Sequence, residues 1–383
     1  MRKCRKVLII FLEAVLLLPV FSGCWSYHEL ETYSIVSGLA VDKGQNGYKY
    51  HLTIECAKVS GAGNEGEMEP LIFESDGNTI FEAIRSLLRE SDKKLYFNHC
   101  NIVIVSSDIA REGLRSIEDW FKRDAEPRIT TQLLISREKT AGEILQSGPK
   151  SGQILSYQIA NTLNQSAKNY GGAYPSMIYE ITNILNTNGI SLVLPAIETK
   201  KEPSGDTVQL SGGAVFQDDY LVGWLDPQPA QTYALIRDKV KGGLILTGPT
   251  PDSTEICLEI LNNKTKMNVS VSGNTVTPEI NVDMRAGFAE QNSETDYLSK
   301  AGIAGIEKYA EQTIEYRIEE LVKSVQQRYG SDIFGFGNNI YQNQPGEWDE
   351  LKPKWNQIFK TLNVKVNATV HITNTALNKV IIE

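Results

Sequence analysis

Phe21-Ser22-Gly23-Cys24 is the stretch of this chain where residue type and spacing define a covalent chemistry. Small residues lead straight into a cysteine, as in a lipobox, where the thiol receives a diacylglyceryl group and becomes the new N-terminus. Upstream, Met1, Arg2, Lys3, Cys4, Arg5 and Lys6 form a basic head, and an apolar stretch from Val7 to Phe21, broken once by Glu13, follows it as in an export signal. A general signal peptide cut near Gly23, or an uncleaved anchor, is the competing reading. A spanning helix needs about 20 apolar residues and rarely tolerates a carboxylate near its middle, so a permanent span is the weaker reading. Cys24 is therefore the expected lipid attachment site. Loss of residues 1–23 removes four bases and one acid, so the mature charge becomes −9 − 3 = −12. Two acyl chains, at about 0.8 kcal/mol per buried methylene, hold such a chain on a bilayer without a transmembrane helix.

Other chemistries lack their parts. Gly148-Pro149-Lys150-Ser151 lacks the upstream glycine and the Gly-Lys adjacency of a phosphate loop. Ser91 with Lys94 and Ser147 with Lys150 satisfy SxxK, but neither is followed by convincing SDN and KTG partners. There is no GxSxG elbow and no HExxH, and the chain has four histidines. His99 and Cys100 are neighbours on a strand entrance and point to opposite faces, so no metal site is expected. Cys56, Cys100 and Cys257 fall in strand patterns, as small buried hydrophobes do. One further segment stands out: Asp332 to Tyr341 sets Phe334, Phe336 and Tyr341 among Gly335, Gly337 and Asn338. These rings are either an exposed partner contact or a small core folded onto the long helix and onto Trp348 or Trp355. Glycines beside bulky rings permit close backbone packing and favour the core.

The elements that must position these residues belong to a folded, multi-domain chain. Its 383 residues exceed one ordinary domain, and 41% apolar with 22% charged residues gives material for real cores. The 47 acids against 38 bases leave a net charge of −9, so nucleic acid is an unsuited partner. Five cysteines without a CxxC pair argue against a zinc cage or a disulfide framework. Alternation and turn residues predict strands at 33–42, 48–58, 101–105 and 129–135, a solvated loop at 61–70, and helices opened by Asn78 or Thr79, over about 108–122 and from Thr140. Helices at 153–168 and 175–186, strands at 191–197, 208–216 and 220–225, and a helix around 230–240 follow. Beyond residue 242 come strands at 255–261, 267–271 and 278–284, a long helix over about 295–328, and a strand in which Leu362, Val364, Val366, Ala368, Val370 and Ile372 share one face. The expected class is mixed α/β (α+β): a lipoprotein signal peptide at 1–23, then three consecutive domains at 24–148, 149–241 and 242–383, each a mainly antiparallel or mixed sheet with packed helices.

Several segments in fixed order resemble one family. Cys24-Trp25 with Glu29-Leu30 and Gly38-Leu39-Ala40-Val41-Asp42, Leu95-Tyr96-Phe97-Asn98-His99, Ala110-Arg111-Glu112-Gly113-Leu114 with Arg123-Asp124, Gly213-Ala214-Val215-Phe216 with Leu221-Val222-Gly223-Trp224-Leu225, and Asp332-Ile333-Phe334-Gly335-Phe336-Gly337 with Trp348 and Trp355 are similar to the Ger(x)C spore-germination lipoproteins. The resemblance covers nearly all of the mature chain. It implies three α/β domains and a non-enzymatic C component of a germinant receptor, without metal or cofactor. It further implies lipid anchoring on the outer face of the inner spore membrane beside two integral membrane subunits, which meet the small-molecule germinant. Two other classes stay open: a lipid-anchored solute-binding protein, which would need a ligand cleft between domains, and an envelope hydrolase, which would need paired carboxylates at a cleft, where the sequence offers no such pair by spacing.

Overall fold

The computed structural model describes residues 33–60, 67–89, 91–147, 153–203, 205–240, 242–247, 255–273, 275–291 and 299–374, with Arg5 and Tyr297. Apart from Arg5, the expected leader lies outside the described residues, as do Cys24 and the expected boundary at 148–149.

Tyr33–Lys43 (β1) and Tyr50–Ser60 (β2) form an antiparallel hairpin. Asn46 and Gly47, both at positive φ, close it. Glu67–Gly77 (β3) pairs antiparallel with β2. This strand corrects the end of the loop expected over 61–70, since 67–70 are strand while 61–66 lie outside the described residues: as a sheet edge it carries Glu69, Glu74 and Asp76, charges that protect an edge and hide its apolar pattern. Thr79 caps the helix Ile80–Ser86 (α1), its hydroxyl accepting from the Glu82 amide. Lys94–Tyr96 (β4) and Ile102–Ser106 (β5) run parallel to β1. The single helix expected over 108–122 is two, Ser107–Glu112 (α2) and Arg115–Arg123 (α3), because Gly113 breaks it at φ 111°. Gln132–Ser136 (β6), Gly142–Gln146 (α4), Leu155–Asn169 (α5) and Ile178–Leu185 (α6) follow. Val193–Lys200 (β7), Thr207–Gln217 (β8) and Tyr220–Leu225 (β9) complete the sheet, with Asp218 at φ 55° in the last turn.

The strand order is β3-β2-β1-β5-β6-β7-β8-β9, with β4 beside β1. The strands of the first two expected units therefore lie in one nine-stranded sheet, joined where Ile135 and Ser136 of β6 pair with Ala196 and Ile197 of β7. Every residue of β5 and β6 is buried, as parallel strands covered on both faces require. Their side chains alternate between two cores. Val103, Val105, Leu133 and Ile135 join Ile84, Ile109 and Ile117, while Ile102, Ile104 and Leu134 join Leu155, Ile159 and Leu163 of α5.

Pro227–Ile236 (α7) leads to a second sheet of Gly243–Leu246 (β10), Ile256–Ser272 (β11) and Thr275–Gln291 (β12). The chain continues through Lys300–Arg328 (α8), Phe336–Asn343 (α9), Pro345–Leu351 (α10) and Trp355–Phe359 (α11) to Lys365–Asn374 (β13). The two strands expected at 255–261 and 267–271 are one, because a register shift between Ile260 and Asn262 carries the polar middle through without a turn. In β13 the expected alternation holds: Asn367, Thr369 and His371 are exposed, and Val370 is buried. Its pairing with β12 is parallel, whereas β10, β11 and β12 pair antiparallel.

The long helix α8 buries Ile306, Ala310, Ile314, Ile318, Leu321 and Val325 as a stripe. Its two flanks answer both edges of the second sheet. Glu307, Glu311 and Glu315 accept from the amides of Ile372, Val370 and Ala368 at 2.8, 3.1 and 3.0 Å. On the opposite edge Arg317 donates to the Leu246 carbonyl at 2.7 Å. Acceptor-only carboxylates thus meet N–H groups, and a donor-only guanidinium meets a carbonyl. Among the described residues no helix is long and apolar enough to cross a membrane.

Candidate functional site

The chain leaves α8 through Gly330, at φ 61°, into a segment that bonds to the first sheet at every few residues. Tyr329 Oη donates to the Trp224 carbonyl of β9 at 2.7 Å, and Ser331 Oγ to the Phe216 carbonyl of β8 at 2.7 Å. The Ser191 amide donates to the Asp332 carbonyl, and the Asn338 amide to the Gly189 carbonyl, both at 2.8 Å. Arg237, just past α7, donates to the Phe334 carbonyl at 2.8 Å. Residues 329–338 are therefore the joint between the two sheets.

Asp332 holds this joint in shape. It is 3% exposed, and each carboxylate oxygen accepts two donors. Oδ1 takes the amides of Gly335 at 2.8 Å and Phe336 at 3.2 Å; Oδ2 takes the Gly337 amide at 2.8 Å and Trp355 Nε1 at 3.1 Å. Burial pushes its pKa up to about 6, against the pull of those four donors. Gly337 is required by space: a Cβ there would lie 2.7 Å from both the Trp348 and Trp355 rings. Phe334 and Phe336 are fully buried and form a ring cluster with Phe359, centroids 5.4 to 6.3 Å apart. Of the three aromatic residues weighed as partner contacts, Phe334 and Phe336 are thus core residues, and Tyr341, 43% exposed, is the one presented to solvent.

Two more buried carboxylates do similar work in the first sheet. Asp42 accepts the Ala141 and Gly142 amides at 2.6 and 2.9 Å at the start of α4, and burial raises its pKa. Glu55, 1% exposed, accepts the Leu155 and Ser156 amides and the Ser37 hydroxyl, each at 2.9 Å, at the start of α5. These acids cap helices remote in sequence, supplying acceptors where a helix leaves amides unpaired. Sequence reading missed all three roles. The available signal was an acid set among buried apolar residues, as at Asp42 after Leu39-Ala40-Val41.

The remaining candidates are not brought together. His99 is exposed and Cys100 is buried, its thiol directed at the Ile102 carbonyl and its pKa pushed up to about 12 by burial. Cys56 is likewise buried with a pKa pushed up to about 12, whereas Cys257 is only half-buried. The Ser91 hydroxyl donates to the Lys93 carbonyl, and Lys94 pairs with Glu126. Cys24, Gly148-Pro149-Lys150-Ser151 and Lys150 of the second SxxK lie outside the described residues. Among the described residues, no group of three or more histidine, cysteine or acidic side chains could hold a metal ion.

The architecture defines a class of protein first: two α/β sheet assemblies locked by a glycine- and aromatic-rich joint after a long helix. Two family models then match the chain, "Spore germination protein N-terminal domain" over residues 26–199 and "Spore germination B3/ GerAC like, C-terminal" over residues 211–376. The chain belongs to the Ger(x)C family of spore germination proteins, and its role lies in germination. It is 26% identical to spore germination protein KC of Bacillus subtilis (strain 168), covering 98% of this chain and 97% of that one. It is 24% identical to spore germination protein B3 of the same organism, covering 94% and 95%. The crystal structure of the GerBC protein superposes with a TM-score of 0.57 at 19% identity, over 88% of this chain and 97% of that one.

Proposed function

We propose that this chain is the non-enzymatic lipoprotein subunit of a spore germinant receptor, needed for nutrient-triggered germination. Cys24 carries the lipid that holds it at the outer face of the inner spore membrane after export. Two integral membrane subunits are its partners and bind the germinant, while this chain serves assembly or signal transmission and uses no metal or cofactor. The division at 24–148, 149–241 and 242–383 belongs to the same reading as three sequence units, the first two of which share the nine-stranded sheet. The observation that carries it is the joint at residues 329–338: its buried bonds to β8, β9 and the approach to β7 couple two sheets mechanically, and its one carboxylate is spent on four donors instead of on a reactive group. Co-purification from spore membranes tests the reading. The chain should come down with two polytopic proteins, and Cys24→Ala should yield folded protein that no longer partitions with membrane. Retention of that variant in the membrane fraction with normal processing would remove the anchor assignment.

A further inference from the structure

The parallel strands β1, β4, β5 and β6 all begin at one end of the first sheet. At that end β1 starts with Tyr33, nine residues after Cys24. Nine residues reach at most about 32 Å when fully extended, and the far end of β1 at Lys43 stands roughly another 33 Å away. A lipid on Cys24 therefore tethers the chain by the end of the sheet that holds Tyr33.

That end carries a contiguous set of rings and one exposed aliphatic side chain. The half-buried Tyr33 and Tyr96 rings lie 5.1 Å apart, centroid to centroid, and Tyr96 lies 6.1 Å from the exposed His99. The Thr131 hydroxyl donates to the Cys100 carbonyl at 2.9 Å, which brings the loop before β6 alongside them. Ile129 in that loop is 59% exposed, and its carbonyl accepts at 3.0 Å from the amide of Tyr179, which is 40% exposed. Scattered apolar exposure is ordinary; a contiguous set where the anchor leaves the fold marks a contact surface. Charge permits lipid as the occupant. The chain carries −9 overall, but among the described residues at this end the charges nearly balance: Lys94 pairs with Glu126, and Arg89, Lys93 and Arg128 stand against Asp92 and Asp124. Anionic headgroups are thus not repelled here as they would be by a surface with the acidic balance of the whole chain. Tyrosine suits the headgroup layer, because its ring is apolar and its hydroxyl stays wet.

We propose that this end of the first sheet lies on the bilayer, with Tyr33, Tyr96, Ile129 and Tyr179 at headgroup depth. This orientation rests on the Cys24 anchor and adds what a tether by itself leaves open, which face meets lipid. The test places the lipidated chain in vesicles of phosphatidylcholine and phosphatidylglycerol in equal parts, with no other protein present. A thiol-linked fluorophore is attached at His99→Cys, Ile129→Cys or Gln45→Cys, all exposed positions, in a Cys257→Ser background. Cys56 and Cys100 are buried with pKa values pushed up to about 12, so they do not label. Lipid spin-labelled in its headgroup should quench the fluorophore at positions 99 and 129 by about half or more, and at position 45, in the turn at the far end of β1, by less than about a tenth. In a chain that floats with the vesicles, full emission at 99 and 129, or equal quenching at 45, would overturn the orientation and leave the anchor standing. A chain that does not float would remove the anchor, and the orientation with it.

Discussion

Replacing Phe336 by alanine separates a packed joint from an exposed contact. The ring has no exposed surface and lies 5.4 Å from Phe334 and 6.3 Å from Phe359, centroid to centroid. Truncating a buried phenylalanine costs about 3–5 kcal/mol, the lost transfer of the ring plus the cavity it leaves. Relaxation should be limited, because Asp332 fixes the Phe336 amide and the Gly337 backbone abuts the Trp348 and Trp355 rings. For a unit of roughly 150 residues, each kcal/mol moves the melting temperature by about 2–4 °C, so a drop of roughly 6–20 °C is expected. Tryptophan emission is the suitable readout, since Trp348 and Trp355 pack on the same segment, their centroids 5.4 Å apart. Phe336→Leu, which refills most of the volume, should recover more than half of the loss. An unchanged melting temperature in Phe336→Ala would refute this account, and unchanged stability with loss of partner retention would identify the ring as a contact after all.

Asp332 has its pKa raised to about 6 from an ordinary 3.8, so the folded state binds its proton more tightly than the unfolded one. That contribution to stability is complete below about pH 4 and is lost as pH rises through 6, by roughly 3 kcal/mol in all. Urea titrations at pH 4.5 and 7.5 should show about two-thirds of this loss in the native chain, the rest being already gone at pH 4.5, and none of it in Asp332→Asn; parallel pH profiles for the two would contradict it. Alanine at Glu307, Glu311 and Glu315 together should leave the outer amides of β13 open, at about 1 kcal/mol for each lost bond, and expose an edge that recruits other strands. Light scattering should report concentration-dependent association of the triple variant, and a monodisperse variant of native stability would show that the carboxylates do not guard the edge.

What the sequence determined by itself is whatever depends on neighbours along one element. The apolar stripe of α8, the alternation in β13, the continuous apolar run of β5, the turns at Asn46-Gly47 and Asp218-Asp219 and the Thr79 cap all follow from periodicity or from local backbone chemistry. The basic head, apolar run and Cys24 are legible in the same local way. Tertiary structure decided the relations between elements: the pairing of β6 with β7 that makes one sheet of two sequence units, the parallel approach of β13, and the break of a helix at Gly113. It also decided what the buried acids do. Glu55 reads in sequence as one polar residue on the wet face of a strand, yet that face is covered by α5, whose first amides need acceptors. The same holds for Asp332 and its four donors. Periodicity records which side of an element is polar, whereas the donor that a buried carboxylate meets is set by chain segments packed against it from elsewhere in the fold, and no local pattern encodes that distance.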